Sequence, residues 1–249
     1  MNIGVYQSAA SLSALEQWQD VVSRNITSGD QTAYRKRTIS FSSQMAGELQ
    51  TDPRKPLGHD NGMPMLFPKI VTGINFVFGE TQPTRRELDV AIQGDGFFEV
   101  QRPDGSKVYT RSGEFRMRPD RTLVTSGGDE VMSTAGSPIL LQASGGPVVI
   151  NENGTISQGN VAVGRLSVQK FADNSKLNPL SGGYFAAPDG MAPDSVDNPS
   201  LLQGYIEGSN TSSLREMVDL VLISRAYEAN QKMISTIDAQ MGKALDALG

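Results

Sequence analysis

The chain has 249 residues, enough for one large domain or two modest ones with a sizeable core. Its net charge of −5, from 22 basic and 27 acidic residues, disfavours a nucleic-acid groove or an anionic membrane surface as partner. Cysteine is absent, which removes disulfides, thiolate metal sites and thiol nucleophiles together.

No charged-then-apolar leader opens the sequence and no apolar run approaches a membrane span. Membrane insertion is therefore not expected, and any export is expected to use a route that reads no Sec-type signal. Residues 2–28 read as one helix, stopped by the turn cluster Ser28-Gly29-Asp30. Apolar or small residues at Val5, Ser8, Leu12, Leu15, Gln19, Val22 and Ile26 step by three and four alternately, which is heptad spacing. Thr32 to Phe41 suits an extended segment. Residues 50–68, with Pro53, Pro56, Pro64 and Pro68, read as a loop, and Val71 to Phe78 as a strand.

From Leu88 to Phe171 the text is short β runs divided by turns. The candidates are Asp89–Ile92, Phe97–Gln101, Lys107–Thr110, Glu114–Met117, Thr122–Val124, Ile139–Leu141, Val148–Ile150, Thr155–Ser157 and Leu166–Phe171. Hairpin signals sit at Pro103-Asp104-Gly105 and Asn151-Glu152-Asn153-Gly154. This spacing favours an antiparallel sandwich or barrel over a parallel sheet. Residues 172–200 return to loop composition.

A second helix starts sharply at Ser213-Leu214-Arg215-Glu216, a capping box. Its seam is expected along Leu214, Val218, Leu222, Ala226, Ala229, Met233, Ile237, Met241, Ala244 and Leu248, stepping mostly by four. Leu220, Ile223, Tyr227 and Ile234 form a second apolar stripe beside the first. Two stripes allow the helix to face its own N-terminal partner on one and a neighbouring subunit on the other. No intrachain element obviously covers the second stripe, so mobile ends that become helical on assembly are expected. The fold class expected is α+β: terminal helices pairing as a coiled-coil-like unit, around a central, mainly antiparallel β domain.

The motifs that could carry chemistry are weak. Gly94-Asp95-Gly96 could belong to a phosphate-binding loop, but such a loop should open a helix and this one runs into Phe97-Phe98-Glu99-Val100, a strand. His59 is the single histidine and lies in the proline-rich loop, too isolated for a metal site or a triad. Asp89 and Asp95 flank a β-turn and read as solvated or turn-bonded rather than as a general acid and base. Arg111 and Glu114 suit an interface or intrachain ion pair. No catalytic residue, cofactor or metal is expected, and the chain is not expected to be an enzyme.

Leu88-Asp89-Val90-Ala91-Ile92-Gln93-Gly94-Asp95-Gly96-Phe97-Phe98-Glu99-Val100 resembles the central signature of bacterial flagellar rod and hook proteins. Tyr109-Thr110-Arg111-Ser112-Gly113-Glu114-Phe115 with Leu123-Val124-Thr125 looks like that family's next block. Gln203-Gly204-Tyr205-Ile206-Glu207-Gly208-Ser209-Asn210, then Glu216-Met217-Val218 and Arg225-Ala226-Tyr227-Glu228-Ala229-Asn230, look like its C-terminal blocks. The N-terminus is altered: Arg24-Asn25-Ile26-Thr27-Ser28 stands where Asn-Asn-Leu-Ala-Asn is usual, and Arg121 stands where a turn glycine is usual.

The resemblance implies a structural subunit of the flagellar basal-body rod, a drive shaft in the periplasm that transmits torque for motility. Its partners would be copies of itself and other rod proteins, and the flagellar type III export apparatus. It also implies an order of domains. Residues 1–30 and 211–249 would be the helices of an inner assembly domain, 31–87 an extended linker and loop region, 88–171 an outer β domain, and 172–210 a return segment. Length leaves the proximal and distal rod proteins. Val163-Gly164-Arg165-Leu166-Ser167-Val168 and the short connection from 42 to 88 look more like the proximal type. A pilus- or adhesin-like assembly subunit, and a β-domain enzyme with helical dimerisation tails, are the other classes.

Overall fold

The computed structural model describes residues 3–50, 62–142, 146–159 and 161–246, and for 3, 46–50, 62–67, 244 and 245 the backbone alone. His59 and most of the proline-rich loop lie outside the described residues. The fold is α+β, with a helix near each end of the chain and antiparallel strands between. It divides into two compact units, one of residues 1–27, 37–75 and 212–249, the other of 28–36 and 76–211.

The first unit contains α1 (Ile3–Thr27), α2 (Ser213–Asp246) and a two-stranded antiparallel hairpin of β1 (Arg37–Gln50) and β2 (Gly62–Ile74). The stretch 31–87, read as linker and loop, thus holds a long ribbon. Its register pairs Arg37 with Ile74 and Phe41 with Ile70. The second strand starts at Gly62 and stops at Ile74, well before the Phe78 expected. A bare two-stranded hairpin is marginal in water, so packing must supply its stability. α1 supplies some of it: the Trp18 and Phe41 rings meet edge to face, with centroids 5.5 Å apart.

One buried side chain fixes how this unit starts. Asn25 Nδ2 donates to the Arg37 carbonyl at 2.9 Å, and Asn25 Oδ1 accepts from the Arg37 amide at 2.9 Å. The end of α1 therefore holds the first residue of β1 as a neighbouring strand would. Asn25 Nδ2 also donates to Glu216 Oε2 on α2 at 3.0 Å. A primary amide offers two donors and an acceptor, and here one amide serves a strand and a second helix together.

Among the described residues the second unit holds sixteen short strands. In chain order they are β3 (Thr81–Pro83), β4 (Val90–Gln93), β5 (Phe97–Gln101), β6 (Lys107–Thr110), β7 (Phe115–Met117), β8 (Leu123–Thr125), β9 (Glu130–Val131) and β10 (Val148–Ile150). β11 (Thr155–Gln158), β12 (Val161–Arg165), β13 (Val168–Lys170), β14 (Asn178–Pro179), β15 (Tyr184–Ala186), β16 (Asp194–Ser195), β17 (Ser200–Gln203) and β18 (Tyr205–Glu207) follow. The main sheet runs β14-β15-β6-β5-β9-β8-β7, with β13 and β16 attached through β5. β10-β11-β12 form a small sheet, and β17 and β18 return to pair with β4 and β3.

β5 sits at the centre of this arrangement, hydrogen-bonded to β6, β9 and β13, and Phe97 to Val100 are all buried. Phe98, Val100, Leu123, Val131, Ile156, Leu166 and Leu201 form the core around it. The one carboxylate in that run, Glu99, is satisfied by Lys107 Nζ at 2.7 Å, Ser167 Oγ at 2.7 Å and Gln169 Nε2 at 3.1 Å. Burial raises the Glu99 carboxyl, but the Lys107 and Ser167 bonds outweigh it, so the group ends below the usual carboxylate range.

Ile139–Leu141, expected as a strand, makes one isolated bridge, Leu140 to Thr122, next to that of Pro138 to Met132. Residues 172–210, expected as a return segment, contain β14 to β18, among them the buried Tyr184 and Phe185. Arg121 adopts φ 73°, the left-handed conformation that suits the glycine usual there. Its side chain is exposed and its backbone closes the turn, donating to the Arg118 carbonyl at 2.8 Å. Arg121→Gly is expected to stabilise the β-rich unit by about 0.5–1 kcal/mol. Urea unfolding of the two proteins side by side checks this; a less stable variant contradicts it.

Candidate functional site

Among the described residues no helix is long and apolar enough to cross a membrane. The helix pair is where apolar surface and geometry converge. Asn25 on α1 bonds Glu216 on α2, and Ser8 Oγ lies 3.8 Å from Met233 Sδ. These two contacts lie the same number of residues apart on both helices, with opposite direction. The helices are therefore antiparallel and in step over about 25 Å. α2 continues beyond the start of α1.

Leu15, Val22 and Ile223 are buried in the contact, with Trp18, Ile26, Leu220, Ala226 and Tyr227 half-buried around them. Val5 and Leu12 on α1, and Ile234 and Ile237 on α2, are also half-buried. A groove of about 410 Å³ lies beside this contact, lined by Gln19, Leu220, Val221, Ser224 and Tyr227.

The stripe read as uncovered, Leu220, Ile223, Tyr227 and Ile234, is thus the one turned toward the chain's own N-terminal helix, with Ile223 1% exposed. The row read as the seam is mostly open: Leu214 is 76% exposed, and Val218, Leu222, Ala229, Met233 and Met241 are exposed too. The reason is geometric. Residues four apart on a helix of 3.6 residues per turn advance by about 40° at each step, so such a row spirals off any one face. It begins opposite Ile223 at Leu214 and reaches the packed side only near Ala226 and Ile237. The row Leu220, Ile223, Tyr227, Ile234, Ile237 keeps steps of three, four or seven and stays on one side. Ala244, as a side chain, and Leu248 lie outside the described residues.

The exposed face is most apolar in the first turns of α2, where Leu214, Met217, Val218, Val221 and Leu222 cluster. A glutamate of the first turn also serves the helix pair. Glu216 stands in the first turn of α2, where its charge suits the helix dipole, and its carboxylate also accepts from Asn25.

The other candidate motifs go elsewhere. Glu114 pairs with Arg86 at 3.1 Å and Arg116 at 3.3 Å, whereas Arg111 pairs with Glu207 at 2.9 Å. Asp89 pairs with Arg86 at 2.8 Å, and Asp95 with Lys170 at 3.3 Å, so the two aspartates are held by different cations. The Gly94-Asp95-Gly96 turn aims carbonyls, not N–H groups, at its nearest charge: Arg111 Nη1 donates to the Gly94 oxygen at 2.6 Å and the Gly96 oxygen at 2.8 Å. A phosphate needs the opposite polarity.

Which helix face is packed is measurable on the isolated chain. Ile223→Ala should cost about 2–4 kcal/mol of helix-pair stability, because it empties a buried site. Val218→Ala should stay within about 0.5 kcal/mol. Denaturant unfolding followed by helical circular dichroism checks both; equal losses would contradict the assigned faces.

Comparison with known proteins agrees with this architecture. Residues 91–158, in the β-rich unit, match the family described as flagellar hook protein FlgE/F/G D1 domain. Residues 202–247, spanning β17, β18 and α2, match the family described as flagellar basal body rod FlgEFG protein C-terminal. The chain is 30% identical to the flagellar basal-body rod protein FlgF of Caulobacter vibrioides, over 100% of this chain and 99% of that protein. It is 29% identical to FlgG of Borreliella burgdorferi over 96% of each chain. It is 30% identical to FlgG of Agrobacterium fabrum, over 93% and 94%. With its helices at the two ends, its antiparallel β unit between them and full-length relatives of one kind, the chain belongs to the flagellar basal-body rod protein family, whose members are structural and assemble with other rod and hook proteins.

Proposed function

We propose that this chain is the proximal, FlgF-like subunit of the rod and that it polymerises through its terminal helices to transmit torque. The observation that carries the assembly reading is the exposed apolar face of α2, on the side opposite Ile223. One face of α2 and α1 form an antiparallel, coiled-coil-like pair. The other, Leu214 to Leu222, meets neighbouring subunits in heterologous contacts that continue as a helical array. Each Leu, Val or Met buried there would contribute on the order of 1.5–3 kcal/mol. Many such contacts spread load better than one strong one.

Leu222→Asp separates this role from folding. In the isolated chain the position is exposed, so stability should change by no more than about 0.5 kcal/mol. In a rod the same carboxylate would be desolvated without a partner, costing several kcal/mol per subunit. Normal monomer stability with abolished rods and motility is the expected result. Normal rods would overturn the assignment of this face.

The proximal reading draws on length. FlgF of Caulobacter vibrioides and FlgF of Rhizobium meliloti each align over 100% of this chain and 99% of their own. The three FlgG relatives first in similarity cover 93–96% of it. In a side-chain-resolved map of purified basal bodies, the chain should occupy the membrane-proximal section of the rod, and occupancy of the distal section would overturn this. Export through the flagellar type III apparatus is the route that such a subunit would use.

A further inference from the structure

The chain crosses between the two compact units four times, after Thr27, Lys36, Asn75 and Thr211, and three segments of the β-rich unit lead to these crossings. We infer that Glu207 is the positioning residue of a joint that binds these three crossing segments to one another, inside the β-rich unit. A pull on any one segment is then shared by the other two.

The atoms that make the joint are specific. Glu207 Oε1 lies 2.6 Å from Arg35 Nη1 and accepts from the Gly79 amide at 2.9 Å. Glu207 Oε2 accepts from Arg111 Nε at 2.9 Å, and the Glu207 carbonyl accepts from the Ala33 amide at 2.7 Å. One residue of the third segment thus holds the first through Ala33 and Arg35 and the second through Gly79. All three charged side chains are buried, each no more than 3% exposed.

Neighbouring residues repeat the pattern. Asn210 accepts from the Lys36 amide at 2.6 Å and donates Nδ2 to the Val77 carbonyl at 2.7 Å, while its own amide donates to the Tyr34 carbonyl at 3.2 Å. The Gly208 amide donates to the Glu80 carbonyl at 2.8 Å. The backbones approach so closely that a Cβ on Gly79 would fall 1.9 Å from the Gly208 oxygen. The Phe78 ring lies under both guanidinium groups, 5.7 Å from Arg35 and 4.7 Å from Arg111.

Arg111 anchors the joint to the β core. Its remaining donors go to the carbonyls of Ile92, Gly94 and Gly96. Burial pulls the Arg111 guanidinium below its ordinary value, and the Glu207 carboxylate opposes that pull. A buried ion cluster of this kind is a poor way to gain stability, since apolar residues of equal volume often do as well. What charges with fixed hydrogen bonds supply is register: only these segments, in this alignment, leave neither guanidinium without its carboxylate.

Hydrogen exchange on the full chain tests the joint, comparing wild type with Glu207→Gln. Amides of Ala33, Lys36, Gly79, Gly208 and Asn210 should exchange roughly 10- to 100-fold faster, while those of Val100, Val131 and Ile156 keep their rates. Uniform acceleration through the core would make Glu207 an ordinary core residue and overturn the inference, as would unchanged crossings. Arg35→Met keeps a balanced Arg111–Glu207 pair and covers the case in which Glu207→Gln fails to fold. A joint requires Gly79 and Asn210 to speed up together with Ala33; acceleration confined to Ala33 and Lys36 would show separate contacts and overturn it. The outcome does not depend on whether the chain occupies the proximal or distal rod.

Discussion

The structure depends on one pairing: two helices at opposite ends of the chain must meet. Each alone is marginal in water, because nucleation is unfavourable and packing provides most helical stability. Closing the whole intervening chain has an entropic cost that grows slowly with length but starts high. The β-rich unit bears that cost. By bonding Tyr34 and Lys36 to Asn210, it brings the segment that follows α1 and the segment that precedes α2 together. The helices then need close only a few residues on each side, which makes the pairing nearly local. Asn25, reaching both Arg37 and Glu216, completes it at the nearer end.

A helix with apolar residues on both sides has no satisfactory state as an isolated surface element. α2 buries one side against α1 and leaves Leu214, Val218 and Leu222 open on the other. That division explains why the packed row can be short and imperfect. Among the described residues, Leu15, Val22 and Ile223 are its buried apolar members, with a hydrogen-bonded asparagine–glutamate contact at one end. A strong intrachain pair would be enough for a monomer; a modest one with an open second face suits a subunit whose final stability comes from neighbours. α1 carries less open apolar surface, Tyr6 being its large exposed hydrophobic residue among those described.

Elements that announce themselves locally were legible in the sequence. Phe97–Gln101, Lys107–Thr110 and Val148–Ile150 form strands over the expected residues, because runs of β-branched and aromatic residues between turns leave little choice. The positive φ at Arg121 was also readable, since a turn there normally takes glycine. Elements defined by distant partners were not. Glu130–Val131 is two residues long, and Tyr184–Ala186 follows Gly182-Gly183, which reads as a break, yet it pairs with β6. The roles of the two α2 stripes were interchanged because apolar residues at spacing four look continuous in text but spiral around a straight helix. Glu207 stands in one of the blocks that resemble the family, but its role was not readable there; its partners come from residues 33–35, 79 and 111, and nothing in their spacing links them.

The glycine-rich turn at residues 94–96 shows how backbone polarity, rather than composition, decides what such a loop can do. A phosphate loop gathers N–H groups and sits at the positive end of a helix. Here positive φ at Gly94 and Gly96 rotates the peptides so that carbonyl oxygens converge, and the charge they receive is the guanidinium of Arg111. The Glu207 carboxylate is bound to Arg111 on the other side, and the Asp95 carboxylate of the turn itself adds a favourable charge. The loop, the arginine and the carboxylate therefore form one closed electrostatic circuit, with its donors and acceptors directed at the chain itself. A motif that elsewhere recruits a ligand serves in this fold to hold the protein's own segments in place.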